Sequence, residues 1–302
     1  MLKISIPASV PRRHRWQYVS NWRTATGNTG RLMLMAGDQK IEHLNDDFFG
    51  KNIAPDDATP AHLFNIASLA HIGVLASQLG LIAAYGRWHP EVPYLVKLNG
   101  KTNLIPTKTR DPLSLAFNSV SDVHNFKKDS GLKIAGVGYT LYPGSRYESQ
   151  MMAEAGRIVY EAHRLGLLAV LWIYPRGQAV TNETDAHLAA GMAGLGASLG
   201  ADFVKLSYPK AMNKTKMKEI VAAAGRTGVI FSGGPAANPK QFLNTLAFQI
   251  ANGARGNATG RNVHQRPIAE AVRLADAISA VSLYGYSADK AYRIYLGKEK
   301  LK

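Results

Sequence analysis

The chain has 302 residues, of which 46% are hydrophobic and 19% charged, and its 36 basic against 21 acidic side chains give a formal charge of +15. That length and apolar content exclude a wholly disordered chain and allow a large core. Cysteine is absent, which excludes a disulfide framework, a thiol nucleophile, a thiolate zinc site and an iron–sulfur cluster.

Residues 1–16 lack the apolar core of a signal peptide: Pro7 interrupts the few apolar residues, and Arg12, Arg13 and Arg15 follow. No apolar run approaches the ~18 residues of a membrane helix; the longest, 165–174, stops at Pro175. The expectation is a cytoplasmic protein with no membrane partner. Apolar runs of strand length then recur along the chain. They are 31–36, ending in Gly37-Asp38; 72–76; 94–98, ending in Asn99-Gly100; and 134–141, ending in Tyr142-Pro143-Gly144. The series continues with 167–174; 201–206; 228–231, ending in Ser232-Gly233-Gly234; and 256–259, ending in Gly260-Arg261. Helical patterns lie between most of them. In 149–165, Met152, Ala155, Ile158, Val159 and Ala162 share one face, and 183–199, 214–224 and 240–251 are further helices. Residues 276–302 read as the last helix plus a basic tail, whose Tyr284, Tyr286, Tyr292 and Tyr295 could serve subunit contacts. Strands alternating with helices pair in parallel through right-handed crossovers. Eight such units predict the α/β class, as one (βα)8 TIM barrel domain over 1–302 with a short N-terminal extension.

The basic excess fits either nucleic acid or small anionic substrates. Nucleic-acid binding calls for a basic tract with interleaved aromatics. Here the charges are scattered, apart from residues 12–15 and 210–218, so an anionic substrate is the better reading and no nucleic-acid partner is expected.

Catalytic groups of such barrels gather where the strands end. Lys205 interrupts an apolar strand and shares a face with Phe203 and Ser207. Facing inward, it would be desolvated, its pKa would fall, and its amine could form a Schiff base; a lysine snorkelling to water fits the same position. Trp172 and Tyr174 also share a face, which suits a pocket wall and a proton-transferring phenol, or ordinary barrel packing. Ser232, Gly233 and Gly234 follow the seventh strand, and Gly260 and Arg261 the eighth. Two glycine turns on adjacent strands, one with arginine, suit a phosphate better than either turn alone. Asp38 could be a base, a hydroxyl anchor or a helix N-cap. Lys97, Asn99, Lys101 and Thr102 crowd the third strand end, as hydroxyl or phosphate ligands or as a solvated loop. Nine histidines without an H-E-x-x-H pattern predict no metal, and no cofactor motif stands out. Gly191, Gly194, Gly196 and Gly200 sit inside a helical pattern, where close helix packing explains them better than dinucleotide binding.

Over nearly the whole chain, these strand ends resemble the archaeal-type class I fructose-bisphosphate aldolases of the Schiff-base aldolase superfamily. The matching segments are Gly37-Asp38-x-x-Ile41-Glu42-His43, Lys97-Leu98-Asn99-Gly100-Lys101-Thr102, Gly138-Tyr139-Thr140-Leu141-Tyr142-x-Gly144-Ser145, Trp172-x-Tyr174-Pro175-Arg176-Gly177, Gly200-Ala201-Asp202-Phe203-Val204-Lys205, Ser232-Gly233-Gly234 and Gly260-Arg261-Asn262-x-x-Gln265-Arg266. The resemblance implies metal-independent cleavage of fructose 1,6-bisphosphate to dihydroxyacetone phosphate and glyceraldehyde 3-phosphate. Lys205 would form the Schiff base, Tyr174 act as general acid/base, Trp172 line the pocket and Asp38 meet substrate hydroxyls. Ser232, Gly233, Gly234, Gly260 and Arg261 would hold one phosphate, with Lys101, Ser145 and Arg146 as candidates for the other. A homo-oligomer, a decamer by resemblance, is also implied. The family usually has histidine where this chain has Gln39. The nearest rival is a related Schiff-base or transaldolase-like enzyme acting on another ketose phosphate or building an aromatic-precursor sugar.

Overall fold

The computed structural model describes residues 4–106 and 110–301. Eight strands close into a parallel barrel in chain order: β1 (Leu32–Ala36), β2 (Val74–Ser77), β3 (Tyr94–Lys97), β4 (Ile134–Leu141), β5 (Leu168–Ile173), β6 (Phe203–Leu206), β7 (Gly228–Ser232) and β8 (Gly256–Thr259). β8 pairs back onto β1. All strand residues are buried except Ser232, which is half-buried. Such strands have side chains of the barrel interior on one face and helices on the other, so they read as continuous apolar runs rather than alternating ones.

The expected fold is therefore the observed one, and no strand limit moves by more than two residues. β2 begins after Gly73, where only glycine fits: a Cβ there would stand 2.3 Å from the Ala25 carbonyl oxygen and 2.8 Å from that of Met33. The predicted helix 183–199 is shorter, Ala186–Ser198, because the Asp185 side chain accepts from Leu188 N–H and caps the first turn. Gly196 lies where a Cβ would meet Val204 Cγ1 at 2.0 Å, so this glycine permits close packing of helix on β6. Residues 276–302 do not form one helix with a tail. Asp276 falls inside Ile268–Ser282, and after a turn the chain forms a second helix, Ala288–Tyr295, capped by Ser287.

At the end of the barrel where the strands begin, the helix Arg15–Thr26 covers the opening, and Trp22 stacks on Phe203 with ring centres 5.1 Å apart. Asp202, directly before β6, is buried there. It accepts hydrogen bonds from the Tyr18 hydroxyl, from Ala169 N–H at 2.8 Å and from His163 Nε2 at 3.3 Å. Burial beside this carboxylate pushes the Tyr18 phenol well up, so it stays a donor. Among the described residues no helix is long and apolar enough to cross a membrane.

Candidate active site

The opposite rim, where the strands end, carries a cavity of about 580 Å³. Lys205 and Trp172 lie side by side in register on β6 and β5. Both point inward, as does Tyr174 just beyond β5; they are 5%, 2% and 9% exposed. The Lys205 ammonium nitrogen stands 5.0 Å from the centre of the indole. Burial is the main influence on Lys205 and lowers its pKa; Asp38 and Glu42 raise it, and Arg261 lowers it again. Burial likewise pushes the Tyr174 phenol well up, aided by Glu42 and Asp38, while Arg176 opposes the shift. The pocket thus joins an amine that parts with its proton readily to a phenol that keeps its own.

The indole reaches this position because β4 makes room. A Cβ at Gly138 would lie 2.5 Å from the Trp172 ring and 2.8 Å from a Leu95 methyl. The ring therefore leans across β4 towards β3. Its Nε1 is buried without a hydrogen-bond partner.

Asp38 opens the helix Gln39–Glu42 without capping it through its side chain. Glu42 lies one turn further on, so both carboxylates face the cavity. The loops after β7 and β8 form the far wall, with Ser232, Gly233, Gly234, Gly260 and Arg261 all lining it. Gly234 takes a left-handed φ of 68°. At Gly260 a Cβ would stand 2.0 Å from Gln39 Nε2, so the β8 loop lies directly against the β1 loop. Asn262 joins the two glycine loops. Its amide nitrogen donates to Gly233 O at 3.0 Å and Pro235 O at 2.9 Å, and its oxygen accepts from Ala237 N–H at 2.8 Å. Arg261 is steadied by Asp47 at 3.6 Å.

Nine of the ten predicted site residues line this one cavity. Lys101 does not: its Nζ donates to Thr102 O at 2.8 Å, outside the lining although within the field of Glu42 and Arg176. Ser145 is buried and donates to Pro112 O at 2.8 Å, and Arg146 bonds the Tyr147 hydroxyl at 2.6 Å. Neither lines the cavity. Lys97 and Asn99 are not solvated but buried, bonded to each other. Sequence reasoning missed Glu42 and Arg176 as lining residues. Both had a signal: Glu42 is four residues from Asp38, and Arg176 continues the spacing of Trp172 and Tyr174. Among the described residues, no group of three or more His, Cys, Asp or Glu could hold a metal ion.

The model of the DeoC/LacD family aldolases matches residues 32–266. The chain belongs to that family. It is 54% identical over 299 residues to the fructose-bisphosphate aldolase/6-deoxy-5-ketofructose 1-phosphate synthase of Methanocaldococcus jannaschii, covering 98% of this chain and 96% of that one. To the class 1 fructose-bisphosphate aldolase of Thermoproteus tenax it is 35% identical, covering 85% of this chain and 90% of that one. A solved fructose-bisphosphate aldolase from Slackia heliotrinireducens superposes with a TM-score of 0.96 at 48% identity, covering 98% and 95% of the two chains. An archaeal fructose-1,6-bisphosphate aldolase, solved with its catalytic lysine covalently bound to the carbinolamine intermediate of the substrate, superposes at 0.76 with 32% identity, covering 88% and 99%. This DeoC/LacD aldolase is accordingly a lyase, and its relatives are class I aldolases of the archaeal type.

Proposed function

We propose that this family member cleaves fructose 1,6-bisphosphate reversibly, with Lys205 as the Schiff-base nucleophile. The observation that carries the reading is the single cavity in which the buried Lys205 amine, Trp172, Tyr174, two carboxylates and two glycine loops converge. The Lys205 amine adds to the C2 ketone, and loss of water leaves a protonated imine. A base takes the C4 hydroxyl proton, the C3–C4 bond breaks, and its electron pair flows into the imine. Glyceraldehyde 3-phosphate leaves, the enamine is protonated at C3, and water releases dihydroxyacetone phosphate and the free amine. Tyr174 is the proton-transfer group, with Asp38 and Glu42 orienting the hydroxyls between it and Lys205. Ser232, Gly233, Gly234, Gly260 and Arg261 hold the C1 phosphate, which fixes C2 against the amine. The same reading includes a homo-oligomer acting in the cytoplasm.

A second reading rests on the second activity for which the Methanocaldococcus relative is named. Breaking the C3–C4 bond of a 6-deoxy-5-ketofructose 1-phosphate leaves dihydroxyacetone phosphate and a small 2-oxoaldehyde. The same enamine on Lys205 would attack that aldehyde in place of glyceraldehyde 3-phosphate.

Borohydride added with fructose 1,6-bisphosphate should leave a stable adduct on the Lys205 peptide, read by mass spectrometry, and Lys205→Met should lose both adduct and cleavage. Retained turnover in that variant would overturn the assignment. Supplying dihydroxyacetone phosphate with either glyceraldehyde 3-phosphate or a 2-oxoaldehyde separates the two readings by the product formed.

A further inference from the structure

The cavity does not end at the barrel mouth. Its lining continues to Tyr208, Gln241, Phe242, Thr245 and Gln249, which lie outside the ring of strands. Strand register fixes this for the tyrosine. Ile230 pairs with Lys205 and shares its inward row, so Phe231, one residue on, faces outward. Tyr208 stands edge-on to that outward ring, with ring centres 5.2 Å apart. The other four residues belong to the helix Pro239–Ala251, which follows β7 and packs on the helices Ile268–Ser282 and Ala288–Tyr295. The turn Ser232-Gly233-Gly234 therefore divides one cavity into two chambers, with Lys205 in front and this helix behind. Gln241, Thr245 and Gln249 follow one another at intervals of four and form one stripe along the helix. A barrel helix ordinarily turns apolar side chains inward; here two amides and a hydroxyl line the cavity instead. Gln249 is 4% exposed, and its buried Oε1 has no hydrogen-bond partner. Among the described residues, the side-chain polar atoms of Gln241, Thr245 and Tyr208 make no hydrogen bond to the protein either. Buried polar groups are nearly always paired, so four that converge unpaired on one space mark a place for a ligand.

We propose that this rear chamber is a second binding site, for a small uncharged polyol held by Gln241, Thr245, Gln249 and the Tyr208 hydroxyl, with its carbon chain against Phe242. The chemistry of the walls selects the ligand. The front chamber is lined by Lys205, Arg261, Asp38 and Glu42, which suit a charged sugar phosphate. The rear residues carry no charge, and burial raises the pKa of the Tyr208 phenol, which keeps its proton. Amides and hydroxyls both donate and accept, as the hydroxyl groups of a polyol do, and an aromatic face accepts the C–H groups between them. An anion would meet no cation there and would lose its hydration without return. The inference goes beyond the aldolase reaction and stands whether or not Lys205 is the nucleophile.

The test uses meso-erythritol as the probe and saturation-transfer NMR as the readout, on Lys205→Met protein so that no sugar is consumed. Fructose 1,6-bisphosphate at saturation fills the front chamber, and the erythritol signal should persist beside it. Thr245→Val and Gln249→Leu, each in that background, should weaken erythritol binding by ~5-fold or more. Neither should lower the urea midpoint, because the groups they remove bond to nothing in the protein. An absent erythritol signal overturns the proposal, as does one that fructose 1,6-bisphosphate displaces or one that both variants retain. So does a fall of the urea midpoint in both variants, which would make the stripe a part of the scaffold. Bound fructose 1,6-bisphosphate gives a transfer signal of its own; its absence counts against the sugar-phosphate reading, while the two variants still decide the polyol site.

Discussion

At the scale of single residues, the site depends on burial changing what ordinary side chains do. Burial favours the uncharged form of both Lys205 and Tyr174. Burial lowers the pKa of the amine and raises that of the phenol, so one loses a proton more easily and the other holds it more tightly. The two roles separate on substitution. Tyr174→Phe should still form the borohydride adduct at Lys205 but lose cleavage by ~10²-fold or more, the size expected of a lost proton-transfer group. Loss of the adduct as well would assign the phenol to binding instead. Lys205 was legible in the sequence because a lysine inside an apolar strand breaks a strong rule. Lys97 was not, because a lysine at a strand end beside Asn99 and Lys101 looks the same whether it turns into the barrel or out to water.

At the scale of elements, each strand contributes little by itself and the loops are held by one another. Asn262 is the clearest case: its side chain ties together the turns after β7 and β8. Asn262→Ala removes those bonds and strands their backbone partners, a cost of about 1–3 kcal/mol. The loosened anion wall should raise KM for phosphorylated ketoses by ~10-fold or more, with adduct formation at saturating substrate unchanged. Equal losses in kcat would show that the loops act on the chemistry itself. The strand runs were readable because burial on both sides makes them continuously apolar, and β4 and β8 fall on their predicted limits. The pair of C-terminal helices was not, because Gly285 and Ser287 between them were absorbed into a single amphipathic reading. Lys101 was misplaced for a related reason: past a strand end, spacing no longer fixes which way a side chain points.

At the scale of the molecule, buried cations set how stability responds to pH. Lys97 and Lys127 are both lowered to about 8 by burial, against an ordinary value of 10.5. Below about 8 both are charged in the folded and the unfolded chain, and the folded chain bears the full desolvation penalty. As pH rises through the folded values towards 10.5, the folded chain sheds these protons first and the penalty fades. The urea midpoint should therefore climb between pH 8 and 10, and Lys97→Met should flatten that climb. A midpoint that falls across this interval would mean that other groups dominate.

Gly138 does not line the cavity, yet it helps decide the shape of the space a ligand enters. The missing side chain on one strand is occupied by the aromatic of the next, and the width left above Lys205 is what that aromatic does not fill. A methyl group added there would collide with the ring, and a displaced ring would change the room for an incoming aldehyde. Selectivity between long and short acceptors can thus be tuned from the barrel wall, at a residue outside the cavity lining.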